Sequence, residues 1–334
     1  MAKITILGSG GFGLSLAVMT ESFGHEVTVW SAFESEIEQI RTDGEHKAKL
    51  PGIKIPPSIK LTADISCISG SDIVLFGIPS QFVRSTAKKA APYITENMIV
   101  LNTGKGLEDK TFKRMSEVLE DEIKNAPVVA MSGPSHAEEV ALSIPTTVVV
   151  SSRDMEAAST IQDVMSNNCF RIYLNDDVIG CELGGSLKNI IALSAGICDG
   201  LGFGDNTKAA LMTRGLREIA RLGVAMGAKT DTFSGLTGIG DLIVTCTSMH
   251  SRNRRAGILI GEGTTPEKAV ENIGTVEGYY CCSVAYELAK KVGVTMPITE
   301  QLYKILFENG KPKEALNTLM TRPNTHEVEK TLSL

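Results

Sequence analysis

Short apolar runs, separated by helix-length segments such as 80–90 and 111–123, fill the first half of the chain. The runs do not alternate with polar positions, which is typical of strands buried on both faces of a sheet. They occupy residues 4–7, 27–30, 73–78, 99–101, 128–131, 146–150 and 170–174. The first two runs, with a glycine-rich turn and a helix over 14–23 between them, have the length of a βαβ unit. The pattern predicts a doubly wound α/β domain with a parallel sheet.

The second half of the chain has a different pattern. Beyond about residue 177 the β-branched runs give way to long amphipathic stretches. These stretches lie at 178–198, 206–226, 279–292 and 299–308. Pro266, Pro297 and Pro312 stand where helices would begin or loops would end, because proline is tolerated at the first helical position. We predict a doubly wound sheet domain over residues 1–180, followed by an all-helical domain over residues 181–334.

Composition and charge exclude several classes of protein. The chain has 334 residues, with 33 Lys and Arg against 39 Asp and Glu, and its net charge of −6 lacks the basic footprint of a nucleic-acid binder. Seven cysteines, with Cys281 and Cys282 adjacent and no Cys-x-x-Cys pair, suit neither a disulfide framework nor a metal site. No secretory signal and no apolar run of membrane-spanning length is visible. We expect a reduced, cytoplasmic protein without a metal or a membrane span.

A glycine-rich turn follows the first strand. Gly8, Gly10 and Gly13 fit G-x-G-x-x-G, and the turn opens a helix inside the predicted βαβ unit. This context predicts a Rossmann dinucleotide site, in which the glycines permit a tight turn, close approach to a pyrophosphate and close helix packing. The acid that usually follows the second strand is missing or displaced, because Ala32 lies in that segment and the nearest carboxylate is Glu34. NADP is therefore permitted, and the choice of coenzyme stays open.

Two further loops follow strands of the predicted sheet. Lys105 lies between two glycines after the run 99–101, and Ser132-Gly-Pro-Ser-His follows the run 128–131. Both loops should border the ligand crevice, because ligands bind outside the carboxyl ends of the strands in such sheets. Alone, Lys105 would be read as a solvated turn residue. His136 is either the cap of the next helix, which we favour, or a catalytic group.

Lys188 and Asn189 lie in an otherwise apolar helix. Such a lysine either extends to solvent or belongs to a site, and burial would lower its pKa towards the range of a proton donor at a carbinol. Asp241 follows a glycine-rich segment and could orient that ammonium. Arg252 and Asn253 suit a phosphate, although a solvated face over 252–255 is the alternative.

Taken together, these segments resemble the NAD(P)-dependent glycerol-3-phosphate dehydrogenases, in particular the bacterial type. The resemblance extends from Gly8 to about Arg322. It rests on Gly-Ser-Gly-Gly-Phe-Gly at 8–13, Lys-Gly-Leu at 105–107, Ser-Gly-Pro-Ser at 132–135, Leu-Gly-Gly-Ser-Leu-Lys-Asn at 183–189, Thr-Arg-Gly-Leu at 213–216, Gly-Asp-Leu at 240–242, Ser-Arg-Asn-Arg-Arg at 251–255 and Val-Glu-Gly at 276–278. It implies a Rossmann domain joined to an all-helical domain. It also implies reversible hydride transfer between NAD(P)H and dihydroxyacetone phosphate, which gives sn-glycerol 3-phosphate for phospholipid synthesis.

The resemblance also implies roles for individual residues. Lys188 matches the proton donor, Lys105 the second active-site lysine, and Asp241 completes the catalytic set. The residues expected to contact substrate are Lys105, Gly133, Ser135, Lys188, Asn189, Asp241, Ser251, Arg252 and Asn253. Those expected to contact the coenzyme are Gly8, Gly10, Gly11, Phe12, Gly13, Ala32, Lys105, Ala137, Arg252 and Glu277.

The chain departs from the family pattern at two places. Ala32 stands where the family often has a polar or basic residue, and one residue is missing before Val-Glu-Gly. The coenzyme preference, for which we expect NADPH, and the contact at Thr275 or Val276 therefore stay open.

Two other classes of function remain as alternatives. A β-hydroxyacid or 6-phosphogluconate type dehydrogenase shares the domain plan but usually has asparagine where Ala192 stands. A non-catalytic NAD(H) sensor would have no reason to retain Lys105, Lys188 and Asp241 together. We expect a small-molecule substrate and a possible homodimer, and the charge of the tail 323–334 suggests a frayed end.

Overall fold

The computed structural model describes residues 1–327 and divides them into two compact units. The first unit comprises Met1–Lys105 and Lys113–Val178. The second comprises Gly106–Phe112 and the chain from Ile179 onward. The residues 323–327 are exposed and irregular, and the rest of the tail lies outside the described residues. Among residues 1–327, no helix combines the length and apolarity needed to cross a bilayer.

An eight-stranded sheet forms the centre of the first unit. Its strands are β1 (Lys3–Leu7), β2 (Glu26–Trp30), β3 (Lys60–Thr62), β4 (Ile73–Phe76), β5 (Ile99–Asn102), β6 (Val128–Ser132), β7 (Thr146–Ser152) and β8 (Phe170–Asn175). Their spatial order is β3-β2-β1-β4-β5-β6-β7-β8. The seven predicted strands are confirmed, whereas β3 is too short and polar to give an apolar signal and occupies the edge of the sheet.

The helices of the first unit cover both faces of this sheet. They are α1 (Gly11–Ser22), α2 (Glu34–Asp43), α3 (Val83–Ala90), α4 (Met115–Glu122), α5 (Ala137–Ala141) and α6 (Met155–Met165). Alternate residues of one strand reach opposite faces. Ile73 and Leu75 join the core that includes α1 and α6, while Val74 and Phe76 join the core that includes α3 and α4. This burial on two faces explains why the central strands are nearly continuously apolar. The edge strand β8 departs from that expectation, because Arg171 and Tyr173 on one of its faces are exposed.

One strand pair departs from the predicted parallel sheet. β7 is antiparallel to β6, while the other neighbouring pairs are parallel. The connection contains only the five-residue helix α5, which rises about 7.5 Å. A strand of five residues is about 16 Å long, so this helix cannot return the chain to the opposite edge of the sheet. β7 therefore starts on the side of the sheet where β6 ends and runs in the opposite direction.

The second unit is helical, as predicted. Its helices are α7 (Val178–Gly200), α8 (Asp205–Ala225), α9 (Asp241–Thr247), α10 (Arg252–Gly261), α11 (Pro266–Ile273), α12 (Glu277–Val292), α13 (Pro297–Phe307) and α14 (Pro312–Met320). The three prolines occupy first helical positions, as expected. α7 is buried without interruption from Cys181 to Ile197 and forms the centre of this unit's core. A helix that is mainly apolar on every side is the kind that a core encloses.

A buried carboxylate of α8 caps α13. Glu218 Oε1 accepts a hydrogen bond from the Ile298 N–H at 2.6 Å, and its Oε2 accepts from the N–H and hydroxyl of Thr299. The N-cap residue Met296 has no side chain that could do this. Burial raises the pKa of Glu218 to about 7, although the hydrogen bonds from Ile298 and Thr299 oppose the rise.

Glu218 should make folding stability depend on pH. Its pKa in the folded chain lies above the unfolded value, so the folded state binds the extra proton between about pH 4.5 and 7. The stability from that proton is complete below pH 4.5 and is lost as pH rises through 7, on the order of 3 kcal/mol. Thermal unfolding across this range should show a flatter pH dependence for Glu218→Gln, whereas the exposed control Glu271→Gln should keep the original slope. An unchanged slope in Glu218→Gln would contradict the assignment.

Candidate functional site

The glycine-rich turn connects β1 to α1. Gly8 has φ of +126°, and a Cβ there would lie 2.5 Å from the Gly77 carbonyl oxygen. A Cβ on Gly13 would lie 2.3 Å from the Gly8 carbonyl oxygen. By contrast, a Cβ on Gly10 would meet only Gly77, at 3.8 Å, so the space beside Gly10 is open. The turn is thus closely packed at Gly8 and Gly13 and leaves room beside Gly10.

The amino terminus of α1 suits an anion. The N-cap Gly10 offers no side-chain hydrogen bond, and the first turn contains no acidic residue. Its N–H groups and the helix dipole are therefore not compensated by an acidic side chain of that turn, which is the usual setting of a bound pyrophosphate. These residues fit a dinucleotide, for which Gly8, Gly10, Gly11, Phe12 and Gly13 would form the cradle.

Of the other residues predicted in the first unit, Ala137 contacts the glycine-rich turn. The Ala137 Cβ, at the start of α5, would be 3.6 Å from a Cβ on Gly11. Phe12 packs partly buried against the sheet core. Ala32 is exposed beyond β2. His136 occupies the N-cap position of α5, but the side-chain capping bond that we favoured is absent.

The loops after β5 and β6 are joined by a hydrogen bond from Lys105. Its Nζ donates to the Gly133 carbonyl oxygen at 2.8 Å, and Ser135 Oγ donates to the same oxygen at 3.0 Å. Since β5 and β6 are parallel neighbours, both loops lie on the side of the sheet where the strands have their carboxyl ends. Gly133 has φ of +119°, and a Cβ there would approach Val148 Cα to 3.2 Å. The structure brings together the three predicted residues of these loops.

A buried ion pair lies in the second unit. Lys188 Nζ is 2.6 Å from Asp241 Oδ1, and the two residues are 5% and 1% exposed. Lys188 also donates a hydrogen bond to the hydroxyl of Thr245, which in turn donates to the Asp241 carbonyl oxygen at 2.6 Å. Neither charge alone would be tolerated at this depth, so each compensates the other. The pairing of Lys188 with Asp241 was predicted from the sequence, whereas the contact with Thr245, one helical turn after Asp241, was not.

The fold brings Asp241 to Lys188 through a close backbone contact. A π-helical turn, Leu236–Gly240, leads into Asp241. A Cβ on Gly184 would lie only 2.6 Å from the Thr237 carbonyl oxygen of that turn. The Thr237 hydroxyl also donates to the Cys181 carbonyl oxygen at 2.7 Å. Gly184 is therefore the position where α7 admits another backbone, four residues before Lys188.

The Cys246 thiol lies close to the ion pair but carries no charge. Burial raises the pKa of Cys246, which follows Thr245, to about 12, although the charge of Lys188 opposes this. The Cys246 thiol is therefore neutral near pH 7. Asp241 is left as the anionic partner of the ammonium.

Two predicted asparagines connect three helices. Asn253 Nδ2 donates to Asn189 Oδ1 at 2.9 Å, and Asn253 Oδ1 accepts from the Gly278 N–H at 2.8 Å. A Cβ on Gly278 would lie 2.4 Å from the Asn189 carbonyl oxygen. Gly278 follows Glu277, so this contact fixes the start of α12 against α7 and α10. Gly278 belongs to the Val-Glu-Gly motif at 276–278, but its contact with α7 was not predicted from the sequence.

The start of α10 presents the predicted phosphate-binding residues. Ser251 is the N-cap, and its buried hydroxyl accepts a hydrogen bond from the Arg254 N–H. Arg252 is exposed at the first helical position. Arg254 pairs instead with Asp199, with Nε 2.8 Å from Oδ2. The run 252–255 is therefore not a uniform solvated face.

Known proteins resemble the chain along nearly its whole length. The family model for the NAD-dependent glycerol-3-phosphate dehydrogenase N-terminus matches residues 3–158, and the model for the C-terminus matches residues 177–317. Glycerol-3-phosphate dehydrogenase (NAD(P)+) of Desulfitobacterium hafniense is 49% identical over 98% of this chain and 94% of its own. The same enzyme of Agathobacter rectalis is 51% identical over 96% of each chain. The crystal structure of glycerol-3-phosphate dehydrogenase from Coxiella burnetii has a TM-score of 0.92 and 36% identity, covering 96% of this chain and 99% of that one.

A Rossmann unit with a dinucleotide turn and a helical unit with a buried lysine define an NAD(P)-dependent oxidoreductase. The chain belongs to the NAD-dependent glycerol-3-phosphate dehydrogenase family.

Proposed function

We propose that the chain reversibly reduces dihydroxyacetone phosphate to sn-glycerol 3-phosphate with NAD(P)H, and so supplies the backbone of glycerophospholipids. Its nearly full-length similarity to glycerol-3-phosphate dehydrogenases supports the reaction. The observation that carries the proposal is the buried pair of Lys188 and Asp241, because reduction of a ketone needs a proton donor held at the carbonyl oxygen.

In this proposal the residues of the second unit manage the charge and the proton at the substrate. Bound NAD(P)H supplies a hydride from C4 of its nicotinamide to C2 of the ketone. As the C2 oxygen gains negative charge, the Lys188 ammonium stabilises it and transfers a proton to it, leaving an alcohol and a neutral amine. Asp241 and Thr245 hold Nζ in position for that transfer. The amine regains its proton from solvent before the next turnover.

The other predicted residues would bind and orient the two ligands. For the substrate we propose Lys105, Gly133, Ser135, Asn189, Ser251, Arg252 and Asn253. For the coenzyme we propose the residues of the glycine-rich turn, together with Ala32, Lys105, Ala137, Arg252 and Glu277. The exposed guanidinium of Arg252 suits phosphate oxygens, since charged donors make the stronger hydrogen bonds. The hydroxyl of Ser251 adds a neutral donor at the start of the same helix.

An absorbance assay of coenzyme oxidation tests the proposal. NADH and NADPH are supplied separately, with dihydroxyacetone phosphate as substrate and dihydroxyacetone as the control without phosphate. We expect turnover that depends on the phosphate. Coenzyme binding seen by fluorescence, without turnover of either substrate, would contradict the reaction and favour another dehydrogenase or a sensor.

Arg252→Ala should weaken the use of dihydroxyacetone phosphate by roughly 10- to 100-fold in kcat/KM, the effect of losing a charged hydrogen bond to phosphate. Because Arg252 is also a proposed coenzyme contact, both substrates are compared at saturating coenzyme. The slow reaction with dihydroxyacetone should then change little, because that substrate lacks the phosphate. Steady-state kinetics with both substrates measures the difference. Equal losses for the two substrates would remove Arg252 from phosphate binding.

The proposal also places the enzyme in a reducing cytoplasm as a homodimer. All seven cysteines are free thiols, which suits a reducing compartment. The net charge of −6 does not favour nucleic acid as a partner. Light scattering of the purified chain gives its mass in solution, and a mass of 35.7 kDa would contradict the homodimer.

A further inference from the structure

Glu36, in the first turn of α2, directs its carboxylate towards the end of β2 and the glycine-rich turn. Its Oε2 accepts a hydrogen bond from Ser31 Oγ at 2.6 Å and another from Ser9 Oγ. Ser31 directly follows β2, and Ser9 lies between Gly8 and Gly10. Glu36 therefore links the two segments beside which a Rossmann fold holds the ribose of the adenosine half.

The second carboxylate oxygen of Glu36 has two basic neighbours. His46 Nε2 is 3.0 Å from Oε1, and Lys49 Nζ pairs with the same oxygen. The segment that carries them lies against the glycine-rich turn, since a Cβ on Gly11 would be 2.5 Å from the Lys49 carbonyl oxygen. The carboxylate is thus held in one place from both sides.

These contacts keep Glu36 ionised. Burial alone would raise its pKa, but the hydrogen bonds from Lys49, Ser31, Ser9 and His46 lower the pKa to about 2. The group is therefore an anion at any pH at which the enzyme would work. An anion in this place accepts hydrogen bonds from hydroxyls. Although Lys49 offsets part of its charge, the carboxylate donates no hydrogen bond to a phosphate and disfavours one beside it.

The residues after β2 offer little to a phosphate. The segment 31–40 contains Glu34, Glu36 and Glu38 and no lysine or arginine. The first basic residue beyond it, Arg41, pairs with Glu38 and donates to the Leu61 carbonyl oxygen at 3.0 Å. An arginine is the usual partner of the 2′-phosphate of NADP in such folds. In this segment the charge has the opposite sign.

We propose that Glu36 is the residue that selects the coenzyme and that it makes the chain prefer NADH to NADPH. Its carboxylate would accept a hydrogen bond from the adenosine ribose 2′-hydroxyl in place of one from a serine, and it would repel a 2′-phosphate. This inference rests on the proposed function. It departs from the NADPH preference expected from sequence, because the displaced acid is carried by a helix and does not directly follow the strand.

Direct binding measurements test the proposal. Dissociation constants for NADH and NADPH are measured by fluorescence titration for the unmodified chain, for Glu36→Gln and for Glu34→Gln. We expect the unmodified chain to bind NADH about 10- to 100-fold more tightly, the range for a hydrogen bond to a charged group. Glu36→Gln should reduce this ratio to within about threefold, mainly through tighter NADPH binding. Glu34→Gln removes the same charge from the same turn, where the side chain is exposed, and should leave the ratio nearly unchanged.

The unmodified chain also provides a test that does not depend on a variant. Adenosine 2′,5′-bisphosphate should compete with NADH less well than adenosine 5′-monophosphate does. Equal competition, or equal binding of NADH and NADPH by the unmodified chain, would overturn the proposal. A change in Glu36→Gln that is the same for both coenzymes would also overturn it and make Glu36 a structural link only. Binding of neither coenzyme would instead refute the proposed function on which the inference depends.

Discussion

Replacing Lys188 by alanine should lower turnover by about 10²-fold or more and leave coenzyme binding intact. The alanine removes both the charge that stabilises the developing alkoxide and the proton that it receives. Coenzyme binding should persist because the glycine-rich turn belongs to the other compact unit. Steady-state turnover and fluorescence titration of the coenzyme, made on the same preparation, measure the two effects separately.

This substitution has a predictable side effect on stability. Without Lys188, the Asp241 carboxylate is left buried without its ion-pair partner, which costs about 3–5 kcal/mol in such cases. The double variant Lys188→Met with Asp241→Asn removes both charges and should recover most of that stability without recovering turnover. Near-normal turnover in a folded sample of either variant would show that Lys188 is not the proton donor.

The sheet was predictable because its signal is local. Each strand from β4 to β6 is buried on both faces, so its residues are apolar except for Asn102 and Ser132 at the ends of β5 and β6, and the run stands out from its surroundings. The direction of β7 was not predictable from such a run. A strand has the same composition whether its neighbour is parallel or antiparallel, and only the short α5 between them decides the direction.

Within the candidate site, the contacts that could be predicted from sequence involve residues that are locally anomalous. Lys188 is the cation in the buried part of α7, which is mainly apolar, so its pairing with some anion could be expected. The partner Asp241 was suggested by the glycines before it. Thr245 carried a weaker signal, namely its place one helical turn after Asp241.

Glu36 was missed for a physical reason. An exposed, polar first turn of a helix looks the same in sequence whether its carboxylates point to solvent or back to the sheet. What distinguishes Glu36 is its contact with Ser9, 27 residues earlier, and with Lys49, 13 residues later. Such contacts are set by the packing of α2 against the end of the sheet, and no short pattern encodes them.

Adding one methyl group at Gly184 should lower turnover by about 10²-fold, although this residue carries no chemistry of its own. The new Cβ would lie 2.6 Å from the Thr237 carbonyl oxygen, well inside normal contact distance. Both sides of the contact are backbone, so the π-helical turn must move away from α7. Asp241 directly follows that turn, as the first residue of α9, and would move with it, away from Lys188. Displacements of about 1 Å at a catalytic group can cost this much.

The prediction is tested by measuring the turnover and coenzyme affinity of Gly184→Ala. The measurements are made at a temperature where circular dichroism shows that the chain is folded. Gly204→Ala is the matched control, because a Cβ on Gly204 meets nothing within 4 Å. It should leave turnover nearly unchanged. If Gly184→Ala lost only thermal stability and kept its turnover, α7 and the turn would tolerate the methyl group without moving Asp241. The position of Asp241 would then not depend on the close contact at Gly184.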